Sequence, residues 1–253
     1  MLTKKDLIER FSKTGLKAGD VMMVHSSYKA LGGVEGGVDA VVDAFLEIVG
    51  PTGTVLFPTF DFVSWTQGHY FDINETPSTL GAISEVGRLR GNAVRTPHPI
   101  YSFAAIGKHA RDFEKCDDIE AFGDGSVFGL FHRMNGLIIS IGLEWNSTFS
   151  FQHYIEYKVG ATYRRIKRFS GIYVDKDNVA QVKTYSMCVR KTLRVKTYIV
   201  PGMTELHERG VIKEIEVGKA KVHYMRANDY FDNMGPMIVE HPEKLHYLVG
   251  TNQ

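Results

Sequence analysis

Val21-Met22-Met23-Val24-His25-Ser26-Ser27-Tyr28-Lys29-Ala30-Leu31-Gly32-Gly33-Val34-Glu35-Gly36-Gly37 is the stretch that decides the fold. Its start is a continuous apolar run closed by a histidine, the pattern of a strand buried in a sheet covered on both faces. The remainder is a glycine-rich loop. Beyond it Val38, Val41, Val42, Phe45, Leu46 and Val49 recur at helical spacing and stop at Gly50-Pro51. Residues 54–58 read as a second buried strand. Strand, loop, helix and strand in this order make a βαβ unit, which implies parallel pairing in an α/β sheet. A loop at the carboxyl end of such a strand is where open α/β sheets bind ligands. It contains no Gly-x-Gly-x-x-Gly and no Gly-Lys-Ser/Thr, so it is neither a dinucleotide fingerprint nor a Walker loop. Its backbone N–H groups and the hydroxyls of Ser26 and Ser27 can still cradle phosphates or a pantetheine arm. A plain close-packed connection would have the same composition.

Outward from this unit, residues 3–14 read as an amphipathic helix with no signal-peptide apolar run, and no stretch approaches a membrane span. A cytoplasmic protein is expected. Residues 60–80 form a long aromatic-rich loop carrying Asp61, Asp72 and Glu75; long loops in compact domains are usually functional. A helix is expected over 80–89 and a strand over 100–107, with His98 held extended between Pro97 and Pro99. A turn at 123–129 opens a short helix, and 137–142 reads as another buried strand. Beyond Tyr157 short alternating runs dominate, and the turn at 175–178 marks an antiparallel hairpin. A helix is expected over 203–215, a strand over 217–225 and a last helix over 228–239. The expected class is α/β, a central mixed sheet flanked by helices with an antiparallel β-rich annex in the C-terminal third. No linker or repeat interrupts residues 1–253, which read as one compound domain: core 1–160, annex about 161–226, C-terminal helix about 228–239.

Hydrophobic content of 43% and charged content of 23% are ordinary for a globular protein. Two cysteines, Cys116 and Cys188, make no disulfide framework and suggest a reducing compartment. The net charge of +1 conceals an asymmetry: residues 157–226 hold 16 Lys or Arg against 6 Asp or Glu, which leaves 14 against 23 elsewhere. A basic half of this kind suits an anionic partner. Solvated lysines would produce the same count, and the scattered cations with no recognised motif argue against nucleic acid.

The chemistry-bearing candidate follows the 137–142 strand. Asn146-Ser147-Thr148-Phe149-Ser150-Phe151-Gln152-His153-Tyr154-Ile155-Glu156 places a histidine and a glutamate three residues apart where a strand hands over to a helix. Positions i and i+3 share a helix face, so Glu156 can orient and charge-stabilise the His153 imidazole, the minimal equipment of a general base. Most pairs of this spacing are ordinary helix surface; the surrounding motifs decide.

Those motifs, in order, resemble the aminoglycoside 3-N-acetyltransferase family. The matching runs are His25-Ser26-Ser27 with Leu31-Gly32 and Gly36-Gly37, then Gly50-Pro51-Thr52-Gly53-Thr54 leading to Pro58-Thr59. Gly81 with Glu85 and Arg88 follows, then Arg95-Thr96-Pro97-His98-Pro99-Ile100-Tyr101-Ser102-Phe103, Gly125-Ser126 and the stretch ending His153-Tyr154-Ile155-Glu156. The order is specific over residues 20–160 and weak in the tail. Asn146 and Thr148 are separated by Ser147, where the family shows an adjacent Asn-Thr pair nearer its histidine. The resemblance implies acyl-CoA-dependent transfer to a primary amine, with no metal. Ser26, Ser27, Leu31, Gly32, Thr59, Arg95, His98, Ser102 and Phe103 would face CoA. Asp61, Asp72 and Glu75 would hold the acceptor.

His153 would be the base and Glu156 its partner, with Thr148, Ser27 or backbone N–H groups meeting the oxyanion. Because aminoglycosides are polycations, the basic half favours another amino sugar, nucleotide-linked included, over an antibiotic-resistance acetyltransferase. The expected partners are an acyl-CoA and a small amine-bearing sugar, and a homodimer is compatible with this reading. Other routes remain open: a serine hydrolase using Ser26 or Ser27, which lacks a Gly-x-Ser-x-Gly elbow, a metal site from His25, His98 and His153, which lacks zinc-ligand spacing, and a non-catalytic CoA- or sugar-binding module. Acidic neighbours disfavour a Cys116 thiolate, and Cys188 reads as core.

Overall fold

β1 (Val21–Ser26) runs through the middle of a seven-stranded sheet. Its side chains alternate between two cores, Val21 and Met23 on one face and Met22 and Val24 on the other, so neither face can be polar. The computed structural model describes residues 1–145 and 149–249. One face of the sheet is covered by α1 (Lys4–Ser12), α2 (Gly37–Val49) and α3 (Ala82–Arg88). The other carries α4 (Ala110–Glu114), α5 (Val127–Arg133), α6 (Phe151–Lys158), α7 (Val200–Glu208) and α8 (Ala227–Glu240). α1 starts at a capping box: the Thr3 hydroxyl accepts from the Asp6 N–H, and the Asp6 carboxylate accepts from the Thr3 N–H.

Across the sheet the order is β10 (Lys213–Val217), β11 (Ala220–Arg226), β6 (Leu137–Ile141), β1, β2 (Thr54–Pro58), β5 (Phe103–Gly107) and β4 (Val94–Arg95). β1 pairs in parallel with β2 and β6, and the other pairings within this seven-stranded sheet are antiparallel, so it is mixed. A second sheet of β3 (Tyr70–Asp72), β7 (Arg164–Val174) and β8 (Ala180–Arg190) is the annex, and its long hairpin closes where Asp175 Oδ1 accepts from the N–H groups of Asp177 and Val179. β9 (Val195–Thr197) pairs with β12 (His246–Leu248).

Three expectations need correction. The 60–80 segment is not an irregular loop: Trp65 and Phe71 are buried, and β3 adds to β7 in parallel. The helix expected over 203–215 stops at Glu208, and the strand expected over 217–225 is a hairpin of two strands turning at Gly218. That hairpin pairs with β6 and extends the central sheet, because Val217, Ala220 and Val222 bury their side chains against the α1–α2 core.

The charge asymmetry also has a structural reading. Cations of the basic half pair with acids of the other: Lys158 with Asp124, Arg164 with Glu156, Arg168 with Glu120, Lys183 with Asp117 and Arg226 with Asp20, at 2.6–3.0 Å. Exposed pairs each contribute about 0–1 kcal/mol, so their effect is to cancel charge and set register more than to stabilise.

One glycine is dictated by the site. Gly142, just past β6, has φ +60°, and a Cβ there would lie 2.1 Å from the Ala30 Cβ in the turn after β1. Gly142→Ala should destabilise the fold by roughly 2 kcal/mol or more, from left-handed strain plus the clash. Chemical denaturation would read the loss; unchanged stability would contradict the close approach.

Candidate active site

The residues of β1 that point toward α6 share the parity of Val21 and Met23, and the next in that register is His25. At the carboxyl ends of β1, β2 and β6 these faces open into a cavity of about 360 Å³ lined by His25, Ser26, Pro58 and Leu143, by Phe60, Phe62, Tyr101 and Phe149, and by Gln152 and His153. Aromatic packing behind the wall is dense: Phe60 meets Tyr101 and Phe103 edge-on at 5.3 and 5.0 Å.

His153 sits on the first turn of α6 with its side chain 29% exposed, while Glu156 one turn on is fully buried. The His153 Nδ1–H donates to Glu156 Oε2 at 2.7 Å, which leaves Nε2 as the nitrogen facing the cavity. Glu156 has three partners. Tyr163 donates its hydroxyl to Oε1 at 3.0 Å, and Arg164 places Nη2 3.1 Å from Oε1 and Nε 2.8 Å from Oε2. Burial alone would push the Glu156 carboxyl up; the charges and hydrogen bonds of His153 and Arg164 outweigh it and hold it at about 2. The carboxylate is therefore a permanent anion behind the imidazole. Arg164 also donates to Thr197 Oγ1, itself on the cavity wall.

The other anticipated residues fall into distinct places. Ser26 lines the cavity, but Ser27 caps the turn over Tyr28–Leu31 and gives its N–H to Ile141 O. Leu31 is buried, and Gly32, with φ +83°, accommodates the Lys219 side chain where a Cβ would stand. Thr59, Arg95, Ser102 and Phe103 do not reach the cavity: each is buried behind its wall and has no surface to offer a ligand there. Arg95 is instead a brace, donating to the carbonyls of Thr59, Ile73 and Thr76 while lying over the Phe71 ring. Thr59 Oγ1 and Ser102 Oγ are 2.9 Å apart in the same network. His98 is buried against Tyr185 and accepts from the Tyr101 N–H.

Asp61 and Asp72 are also structural. Asp61 accepts from the Ser64 N–H, and Asp72 from the N–H groups of Asn74 and Glu75, leaving Glu75 exposed on the turn. None of the three lines the cavity. Thr148 lies outside the described residues. Among the described residues no group of three His, Cys, Asp or Glu could hold a metal ion.

Two more residues stand in the wall: His25, offered by the sequence only as a metal ligand and as part of a matching run, and Gln152, which it did not single out. His25, whose Nε2 lies 3.3 Å from Ser150 Oγ, is held by burial at a pKa of about 4, so it is neutral. Gln152 is almost fully buried beside His153. The polar end of an otherwise apolar strand was the available signal for His25; a glutamine on a short helix gave none. Beyond Leu143, which borders both, lies a second cavity of about 720 Å³ bearing Trp145, His207, His223, Glu144, Lys219 and Lys221.

A histidine on a helix, backed by a buried carboxylate at a cavity by the carboxyl ends of parallel strands, defines an α/β protein with an imidazole–carboxylate site. The chain belongs to the aminoglycoside 3-N-acetyltransferase family, whose profile matches residues 23–238. It is 33% identical over 178 residues to an aminoglycoside N(3)-acetyltransferase III of Salmonella sp, an alignment covering 62% of this chain and 60% of that relative. The fold is shared with the structure titled "AAC-IIIb binary with CoASH", at a TM-score of 0.81 and 20% identity, covering 93% of this chain and 96% of the other. "AAC-VIa bound to Sisomicin" gives a TM-score of 0.81 at 25% identity, covering 95% and 98%.

The neutral histidines make stability pH-dependent. Burial holds His25 near 4 and His98 near 3, so between these values and about 6.5 the unfolded chain binds protons that the folded one refuses. Stability is greatest above about pH 6.5 and falls with acidification. Calorimetry from pH 7.5 to 5 should show a declining Tm, and His98→Leu should flatten the slope; an unchanged slope in a folded variant would count against the assignment.

Proposed function

We propose that this protein is an acyl-CoA-dependent N-acyltransferase that moves an acetyl or related acyl group onto a primary amine of an aminoglycoside, with His153 as general base. The observation that carries this reading is the committed Nδ1 of His153. With Nδ1–H fixed on a permanent carboxylate, Nε2 is the free basic atom at a cavity walled in part by aromatic rings. The acceptor first loses one proton to solvent and reacts as the free amine. Nε2 takes a proton from it as the nitrogen bonds to the thioester carbonyl carbon; general-base help of this kind supplies roughly 10²–10⁴-fold. The C–S bond then breaks, and the CoA sulfur leaves with the proton that the imidazolium returns. The pantetheine arm would enter past Ser26 and Leu143, with the nucleotide end toward Lys219 and Lys221.

The relatives' names support an aminoglycoside acceptor, and the ion pairs described above are compatible with it. Part of the surplus of cations that argued against a polycationic substrate is matched by acids of the same chain, which weakens that objection. One observation favours a second reading, an amine on a less cationic sugar, nucleotide-linked included: no carboxylate lines the cavity beside His153 among the described residues.

Thiol release from acetyl-CoA should depend on sisomicin or a similar aminoglycoside. His153→Ala should lower kcat by about 10²–10⁴-fold, and Glu156→Gln should lower both kcat and stability by leaving Arg164 without its counter-charge. Release with a nucleotide-linked amino sugar alone would select the second reading. Release needing no amine would mean hydrolysis, and none with any acceptor would leave a binding module.

A further inference from the structure

We propose that the side-chain amide of Gln152 is the donor that meets the oxyanion of the reacting thioester; this rests on the acyl-transfer reading above. Gln152 is 2% exposed and shares the cavity wall with His153. Its Oε1 accepts the Tyr230 hydroxyl proton at 2.5 Å, whereas its Nε2 is buried with no hydrogen-bond partner. A buried donor left unpaired is costly and rare, and in an active site it marks a place where a partner arrives with the ligand.

The orientation of the amide is fixed chemically. Tyr230 is fully buried, and burial keeps its hydroxyl protonated, so it needs an acceptor. Its choices are Gln152 Oε1 and Met203 Sδ at 3.3 Å, and a carboxamide oxygen is far the better of the two. The Gln152 carbonyl is thus drawn to Tyr230, which leaves the NH₂ group without a bond. α6 begins at Phe151, so the amide also lies at the positive end of an eight-residue helix.

Two competing donors are engaged, and the Tyr101 hydroxyl on the same wall is, like the Gln152 amide, buried without a partner. The Ser27 N–H is bonded to Ile141 O, and the Ser150 hydroxyl faces His25 Nε2. When the amine nitrogen bonds to the carbonyl carbon, the C=O π pair moves onto oxygen. The Gln152 N–H bonds to that oxygen until the pair returns and the C–S bond breaks. Gln152 is then a catalytic residue beside His153, with Tyr230 its positioning residue.

Gln152→Glu is nearly isosteric and removes the donor; Gln152→Leu removes both ends of the amide. With acetyl-CoA and an accepted amine, each should lower kcat by about 10²-fold with KM for acetyl-CoA changed less than about threefold. Tyr230→Phe should show a smaller loss of the same kind. A ketone analogue of acetyl-CoA, ¹³C-labelled at its carbonyl, gives a readout without turnover: bound to the wild type its infrared stretch should fall to lower wavenumber, and in Gln152→Glu that shift should vanish. A shift present without transfer to any amine would refute the proposed activity and leave the Gln152 assignment standing. Transfer with kcat within threefold of wild type in Gln152→Glu, a loss confined to KM, or a carbonyl shift abolished by Thr148→Val but not by Gln152→Glu would overturn it. Failure of the analogue to bind would sink both.

Discussion

The buried carboxylate of Glu156 is the interaction on which the site depends. A lone carboxylate cannot stay ionised at full burial, and here it is held by His153 from α6 and by Tyr163 and Arg164 from the chain entering β7. The cation that makes the anion tolerable therefore comes from the annex, and the imidazole comes from the central α/β layer. Neither layer could set the imidazole alone. Arg164 has a second consequence: it neutralises the carboxylate, so the pair presents the cavity with a basic nitrogen and no net negative charge.

The same division of labour runs through the wall of the cavity. Ser26, Pro58 and Leu143 are delivered by the ends of β1, β2 and β6, where open sheets place their ligands. Phe60, Phe62 and Tyr101 come from the segments after β2 and before β5, and Arg95 and Ser102 anchor those segments from behind. A run of residues that resembles a ligand-binding motif is here mostly the scaffold of one. Motif residues can persist because they hold a loop, and burial separates that role from contact with substrate.

Much of this was legible in the chain. The apolar alternation-free run before Ser26 and the 3.6-residue spacing over α2 specified the buried parallel strands, and the three-residue spacing of His153 and Glu156 specified their pairing. What could not be read was long-range. Nothing in the sequence of β10 and β11 says that they pair with β6 and not with the hairpin, since antiparallel strands carry the same alternation in either sheet. Asp61, Asp72 and Glu75 had the right chemistry for an acceptor, but two of them satisfy local backbone N–H groups, as aspartates in turns commonly do. The charge surplus over 157–226 was counted correctly, yet a count along the chain cannot see that its partners lie in the other half. Gln152 had no signature, because its meaning depends on Tyr230, 78 residues away.

The placement of β10 and β11 bears on how the protein is made. β6 is apolar but for Ser140 and fully buried, and one of its two edges is covered only by β11. A ribosome has produced β1, β2, β5, β6 and α6 well before residues 220–226 emerge. Until then the growing chain presents Leu137–Ile141 as an open, hydrophobic strand edge, the kind that pairs readily with a neighbouring polypeptide. Completion of the sheet thus waits on residues 220–226, and the interval before them is when this edge is most exposed to mispairing.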